Sequence, residues 1–353
     1  MGAMTLLATE LNAIGKLIYD VLYGWIAGWG ISETSIIGAF GVTVIIFTVL
    51  LKIIVLPFDF WQKQITRKNA KKMKAMQPEL EKIQKQFKND QQQLYVKQRA
   101  LNKKYKYSPM KACLPSIVTL VIFFVVFSGF RSACTYHNSV VYDNCHDAYE
   151  TAYNANLESQ TTEIKDTKLA IEAGQNAALE AYEIERFLLT KNIFIGDNWS
   201  QPIPDAATFY GTGLGGVGVT GTDSVDSTEY DLVMSKVMAK YNYSEDGGSE
   251  WNGYLILPII ALILNILSTK LIKPADQPQV AGQTDEQKKS QESSMKMMQW
   301  TMPIMMFVFA ILYSAAFTLY MVINSLITLV FNLLYNVITK KIDAKKELEE
   351  ENI

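Results

Sequence analysis

IIGAFGVTVIIFTVLLKIIVLPF, residues 36–58, is a stretch of 23 residues whose single charge is Lys52, and an apolar run of that length matches the hydrocarbon core of a bilayer crossed by one helix. Further apolar runs lie at residues 112–130 and 254–271. A last block, 297–339, has 43 residues, too many for one crossing, so it reads as two spans, 297–313 and 317–339, turning at the small residues Ser314, Ala315 and Ala316. The expectation is an all-α polytopic membrane protein with a five-helix transmembrane core. Composition agrees: 49% of the 353 residues are hydrophobic and only 19% charged. A cytosolic enzyme is excluded on this pattern. Two histidines and three cysteines leave little material for metal or acid–base chemistry, so no catalytic residue, cofactor or metal is expected.

Lysine and arginine set the orientation. Residues 59–111 carry 15 Lys or Arg against 4 Asp or Glu, whereas residues 131–252 carry 7 against 19. The basic segment is therefore placed in the cytoplasm and the acidic one outside. That puts the N-terminus outside, the loop 272–296 inside, and the tail 340–353 in the cytoplasm.

Within 59–111, Met73, Met76, Leu80, Ile83 and Phe87 step by three and four, a coiled-coil seam. Lys88-Asn89-Asp90 makes a turn, and Leu94, Leu101 and Tyr105 return. This predicts a helical hairpin whose many lysines form a solvated face near anionic lipid. At the other end of the chain, Leu7, Leu11, Ile14, Ile18, Val21 and Trp25 recur at helical spacing, interrupted by Glu10, Lys16 and Asp20. Residues 5–30 then form an amphipathic interfacial helix, or alternatively an uncleaved anchor. In the acidic segment, the Ala/Glu/Gln-rich stretch 146–189 predicts one or two helices. Residues 192–253, rich in Gly, Asp, Ser and Tyr, read as loop. Phe187, Leu188, Ile193, Phe194 and Ile195 offer apolar anchors to the bilayer surface or to the bundle.

Several patterns carry possible chemistry. Gly213-Leu-Gly215-Gly216-Val-Gly218 satisfies the dinucleotide pattern, but Pro202 and Pro204 spoil the strand that should precede it, so it is assigned to a flexible loop. Cys134 and Cys145, flanking His137 and His146, suggest either a disulfide on the oxidising side or a zinc site. Cys113 reads as a small core residue. Lys52, two turns before Asp59, either snorkels to the interface or points into a hydrated cavity among the helices. Thr119, Gln299, Thr301, Asn324, Ser325 and Thr328 are polar groups at comparable depth that could line such a cavity or bond to neighbouring backbone. Met298, Met302, Met305 and Met306, with Tyr320, offer a soft apolar surface for varied partners, or simply fill gaps.

Taken in order, Leu50–Phe58, Met76-Gln77-Pro78-Glu79-Leu80, Ser108–Pro115, Leu255-Ile256-Leu257-Pro258, Met302-Pro303 and Tyr320–Thr328 resemble the YidC membrane insertase family, which includes the mitochondrial Oxa and plastid Albino insertases. The resemblance covers roughly two thirds of the chain. It implies a five-helix core around a hydrophilic groove open to cytoplasm and lipid, a positive charge in that groove, and a mobile cytoplasmic hairpin. Lys52 stands where the family usually has arginine, and Thr119 where many members have glutamine. The turn at Ser314-Ala315-Ala316 replaces the family's usual Pro-Ser-Gly, and the long acidic insertion replaces a short loop. The implied function is insertion of nascent membrane proteins in a bacterial plasma membrane, with the ribosome and the Sec translocon as partners, the lipid bilayer as medium and no sequence-specific nucleic-acid binding. The rival readings are a non-catalytic scaffold presenting the acidic segment and a transporter. The second is disfavoured because no Asp or Glu lies within the apolar runs.

Overall fold

The computed structural model describes residues 10–31, 35–87, 90–107, 109–161, 165–219, 227–271, 300–301 and 303–351. Among them the regular structure is helical, with only isolated β-bridges. In chain order the helices are α1 (Ala13–Lys16), a π-helical turn (Leu17–Tyr23), α2 (Gly24–Ala27), α3 (Ala39–Gln86), α4 (Gln91–Lys104) and α5 (Pro109–Ser159). Then come α6 (Thr167–Ala181), α7 (Ala206–Tyr210), α8 (Ser227–Tyr241), α9 (Ile256–Leu271), α10 (Pro303–Leu312) and α11 (Ala315–Glu351). Among the described residues, three helices are long and apolar enough to cross a membrane, over Ala39–Gln86, Val118–Ser159 and Ala315–Ala344; Ile256–Ser268 and Pro303–Leu312 are shorter apolar helices.

Two of the long helices run far past the apolar runs seen in sequence. α3 continues from its apolar half into the basic half through Pro57 and Pro78, each of which removes one amide from the ladder without ending it. α5 does not stop at Phe130 but carries on to Ser159, so the acidic segment begins as an extension of a membrane helix. The chain divides into two compact units, one of residues 1–48, 125–261 and 306–323, the other of residues 49–124, 262–305 and 324–353.

In the first unit, the extension of α5 builds a core with α6, α7 and α8. Tyr142, Cys145 and Tyr149 of α5 pack with Ile203, Phe209, Tyr230, Val233, Met234 and Val237. Residues 227–241, expected as loop, are helical because Tyr230, Val233, Met234 and Val237 fall on one face at helical spacing. The alanine-rich stretch becomes α6, whose Ala170, Gly174 and Ala178 face inward; a Cβ on Gly174 would meet the Tyr149 ring at 2.7 Å. Asp166 caps α6, and Asp205 caps α7 by accepting from the Thr208 amide at 2.8 Å.

The glycine run is held by backbone hydrogen bonds to α7. Val217 and Val219 donate to the carbonyls of Thr208 and Phe209 at 2.9 and 3.1 Å, and Gly215 and Gly218 take positive φ. A Cβ on Gly216 would sit 2.0 Å from the Gly211 carbonyl oxygen, so the fold itself demands glycine there. Among the described residues no strand precedes the run, and Gly218 and Val219 are not helical.

The N-terminal helical segment is fixed to α5 by Asn12, whose side chain caps Gly15 at 2.7 Å and donates to the Ser128 carbonyl at 3.0 Å. Of the expected apolar stripe, Leu11 and Ile18 are buried and Ile14 half-buried against the protein, while Val21 and Trp25 are exposed; Ile26 is buried in place of Trp25. The π-helical turn changes the register partway along.

The second unit contains the helical hairpin of α3 and α4. Met73, Met76, Leu80, Leu101 and Tyr107 form its buried seam, with Ile83 and Tyr105 alongside. Glu79 accepts from Lys104 at 2.7 Å and from the Tyr105 hydroxyl at 2.7 Å, closing the two strands of the hairpin. At its base, Arg67 pairs with Asp343 of α11, and Lys71 lies 3.5 Å from the same carboxylate.

Candidate functional site

A soluble helix hides its apolar side, but in the second unit the pattern is inverted. On α3, Val49, Leu50, Ile53 and Ile54 are exposed while Lys52 is buried. On α11, Leu326, Val330, Leu333, Leu334, Val337 and Ile338 are exposed, whereas Ser325 and Asn332 are buried and Asn324 and Thr328 are half-buried. Residues 324, 325, 328 and 332 share one helical face, since steps of three and four return to the same side. The exposed apolar surface suits lipid, and the polar atoms turn inward where lipid cannot reach them.

Lys52 is the buried charge on α3. Its ammonium donates to Asp59 Oδ2 at 2.7 Å, and the two side chains keep 9% and 19% of their accessible surface. Seven positions are two helical turns, which places both groups on one side of α3. The lysine is internally paired, and Asp59, read from sequence only as the polar end of the run, is the residue that reasoning missed. The detectable signal was the i, i+7 spacing of opposite charges across an apolar helix. Breaking such a pair is costly because the remaining ion stays desolvated.

Thr328 donates to the Asn324 carbonyl at 2.7 Å, a local bond within α11, and Thr119 and Thr301 are exposed. Tyr320, in the first unit, is buried against Phe130 and Phe317 at centroid separations of 5.6 and 5.9 Å. Met305 is exposed and Met306 half-buried. Met298, Gln299 and Met302 lie outside the described residues.

The cysteine expectation needs correction. Cys134 and Cys145 are buried free thiols on the same helix, eleven residues apart, about 16 Å of helical rise, so they cannot bridge to each other. Cys134 donates to the Ser314 hydroxyl at 3.3 Å. The neighbouring histidines have separate partners: His137 stacks on Phe194 with centroids 3.5 Å apart and bonds to the Tyr19 hydroxyl, and His146 meets Glu229 at 2.9 Å. Among the described residues no group of His, Cys, Asp or Glu has the geometry to hold a metal.

The first unit completes the ends of three apolar helices. Asp197 receives the Leu255 and Leu257 amides at 3.2 and 2.7 Å, capping α9. Between α10 and α11, the Ala315 and Ala316 amides donate to the carbonyls of Ile195 and Ile193 at 2.8 and 2.9 Å, and Asn198 donates to the Ile311 carbonyl at 2.7 Å. Beside this turn is a cavity of about 620 Å³ walled by Arg131, Cys134, Asn198, Tyr313, Ser314 and the glycine run. Arg131 donates to the Thr212 carbonyl at 3.1 Å and so holds that run in place.

Long lipid-compatible helices with an inward polar face and a buried ion pair define a polytopic membrane protein. The family described as 60Kd inner membrane protein matches residues 32–171 and 216–344, and the chain belongs to that family. A membrane protein insertase YidC from Fusobacterium nucleatum is 40% identical over 115 residues, 33% of this chain and 54% of that protein. One from Caldanaerobacter subterraneus is 34% identical over 96 residues, covering 27% of this chain and 45% of the relative. One from Rickettsia typhi is 35% identical over 91 residues, 26% of this chain and 16% of the relative. The chain thus matches about half or less of the length of these curated relatives.

Proposed function

We propose that this chain is a membrane protein insertase and chaperone for small membrane proteins, working without covalent chemistry in a bacterial plasma membrane. The observation that carries the reading is the inverted helix pattern around the buried Lys52–Asp59 pair, in a chain of a family whose curated relatives are named insertases. Five helices form the core, with α9 and α10 as the shorter spans. The N-terminus and the acidic segment face outward; the α3–α4 hairpin and the C-terminal end of α11 face the cytoplasm, following the lysine and arginine distribution.

A hydrophilic segment of a nascent protein enters the polar interior, which lowers the cost of carrying charge partway across; a charge at the bilayer centre otherwise costs several kcal/mol. Its apolar segment then partitions into lipid, driven by burial at about 25 cal/mol per Å². The hairpin meets the substrate or ribosome first, and the Sec translocon is a further partner. Because Lys52 is already paired, an entering carboxylate must displace Asp59, so acidic tails bind by exchange rather than by meeting a free cation.

Reconstitution in liposomes with a single-span substrate tests this. Insertion is expected with the parent and with Lys52→Arg, and Lys52→Ala should reduce insertion of substrates with acidic outward tails more than neutral ones. No insertion by the folded parent would favour a scaffold that presents the acidic segment. Equal activity of Lys52→Ala on both substrates would remove Lys52 from the mechanism.

A further inference from the structure

The acidic segment contains a tight turn, Phe187 to Thr190, closed by paired bonds between those two residues at 3.0 and 2.9 Å. Turns in water place Gly, Asn or Asp at their tips. Here the tip is Leu188-Leu189, and Leu188 adopts a φ of 52°, a conformation that disfavours a branched aliphatic residue. Both leucines are exposed, at 53% and 61%. A single exposed leucine needs no explanation. Two at a strained tip, with no charge between Phe187 and Thr190, do.

The turn is docked where α3 begins. The Leu188 amide donates to the Ile36 carbonyl at 2.7 Å, Ile37 bridges to Phe187, and the Gly38 amide donates to the Arg186 carbonyl at 2.8 Å. Gly41 permits the approach: a Cβ there would lie 2.4 Å from the Phe187 ring. Phe187 is therefore buried as a wedge, while Ile36, 66% exposed, joins Ile37 and the two leucines in one aliphatic patch. Ile36 stands three residues before Ala39, the first residue of a membrane-crossing helix, so the patch is at the level where that helix enters the bilayer. Exposed Arg186 precedes the tip and Lys191, paired with Glu250, follows it, as cations flank segments seated at an interface.

We propose that the turn Phe187–Thr190 is a membrane anchor: Leu188 and Leu189, with Ile36 and Ile37, enter the leaflet at the N-terminal end of α3 and hold the acidic segment down on the bilayer surface. The occupant of the patch is lipid, at the boundary of headgroups and acyl chains. The strained φ at Leu188 persists because replacing it with a turn-forming polar residue would forfeit that seat. The anchor is independent of whether the chain inserts other proteins.

The test uses the full chain in phosphatidylcholine–phosphatidylglycerol liposomes, in a Cys113→Ser background, since Cys134 and Cys145 are buried. Leu189→Cys carries an environment-sensitive fluorophore, with Lys240→Cys on the exposed side of α8 as the aqueous control and the mock-labelled parent as blank. The expected result is blue-shifted emission at 189, quenched by nitroxide lipids labelled near the headgroup more than by those labelled deep in the chain, in keeping with a depth of roughly 5–10 Å. It should also be shielded from aqueous iodide. Emission and iodide quenching equal to position 240 would overturn the proposal. So would blue emission that lipid nitroxides do not quench, which would mean that protein, such as a second copy, covers the patch. Leu188→Asn, a residue tolerant of positive φ, separates anchoring from folding: the melting temperature should hold while the label at 189 shifts toward aqueous emission. An unchanged label in that variant also refutes the anchor.

Discussion

Asp59→Asn removes one charge from the Lys52 pair while keeping the side-chain shape. At 2.7 Å, two unit charges in a medium of effective dielectric about 20 attract by roughly 6 kcal/mol, most of it offset by the several kcal/mol each ion loses on leaving water. The intact pair is therefore worth little in net terms. Stranding Lys52 is different: an uncompensated buried ion costs on the order of 3–5 kcal/mol. Thermal unfolding in detergent should show Asp59→Asn and Lys52→Met each melting well below the parent. The double variant Lys52→Met/Asp59→Leu should recover most of the loss, because two apolar residues satisfy each other. That double variant also separates roles: it should be folded yet poor at inserting substrates with acidic tails. If both single variants melt with the parent, or if the double variant is additive rather than compensating, the pair is not formed and the exchange mechanism fails with it.

Asp197→Ala leaves the Leu255 and Leu257 amides at the start of α9 without their acceptor and should destabilise the fold by on the order of 2 kcal/mol, with Asp197→Asn milder, read by thermal melting. Glu185, wedged between the Tyr23 hydroxyl and the Phe40 amide, has its carboxyl pushed above the ordinary range by burial. A value raised in the folded state means that this group's contribution is full below the unfolded value of about 4.3 and is lost as pH rises through the folded value. Melting of the parent should therefore fall across that window relative to Glu185→Gln, which lacks the titration; parallel curves would show that the carboxyl is not desolvated.

The membrane class was legible because apolar length is a local property: residues 36–58 announce a span whatever they touch. The hairpin seam was legible for the same reason, since Met73, Met76 and Leu80 repeat at helical spacing and are the residues that become buried. The lengths of the helices were less so. Nothing at Phe130 breaks a helix, and Pro57 beside Phe58 costs α3 one amide without ending it; a change from apolar to polar composition marks a change of solvent, not an end of the backbone ladder. The same inattention to phase hid α8, whose four buried residues lie among polar ones in a region judged by composition.

Lys52 as a residue of note came from sequence; its pairing with Asp59 did not, because a side chain's partner depends on which face of α3 is covered. The turn at Ser314 shows the division most clearly. Sequence located it by small residues and by a block too long for one crossing. What makes it work is supplied from far along the chain: the carbonyls of Ile195 and Ile193 receive the Ala315 and Ala316 amides, the Ser314 hydroxyl accepts the Phe317 amide at 3.4 Å, and Asn198 satisfies the Ile311 carbonyl. Apolar periodicity and length are written residue by residue, so the sequence alone determined the membrane class and the buried seam of the hairpin. Hydrogen-bond partners at helix ends are set by which distant segment folds over them, so only the tertiary structure decided that residues 193–198 close the turn between α10 and α11 and cap α9, and that the two cysteines, fixed along one rigid helix, never meet.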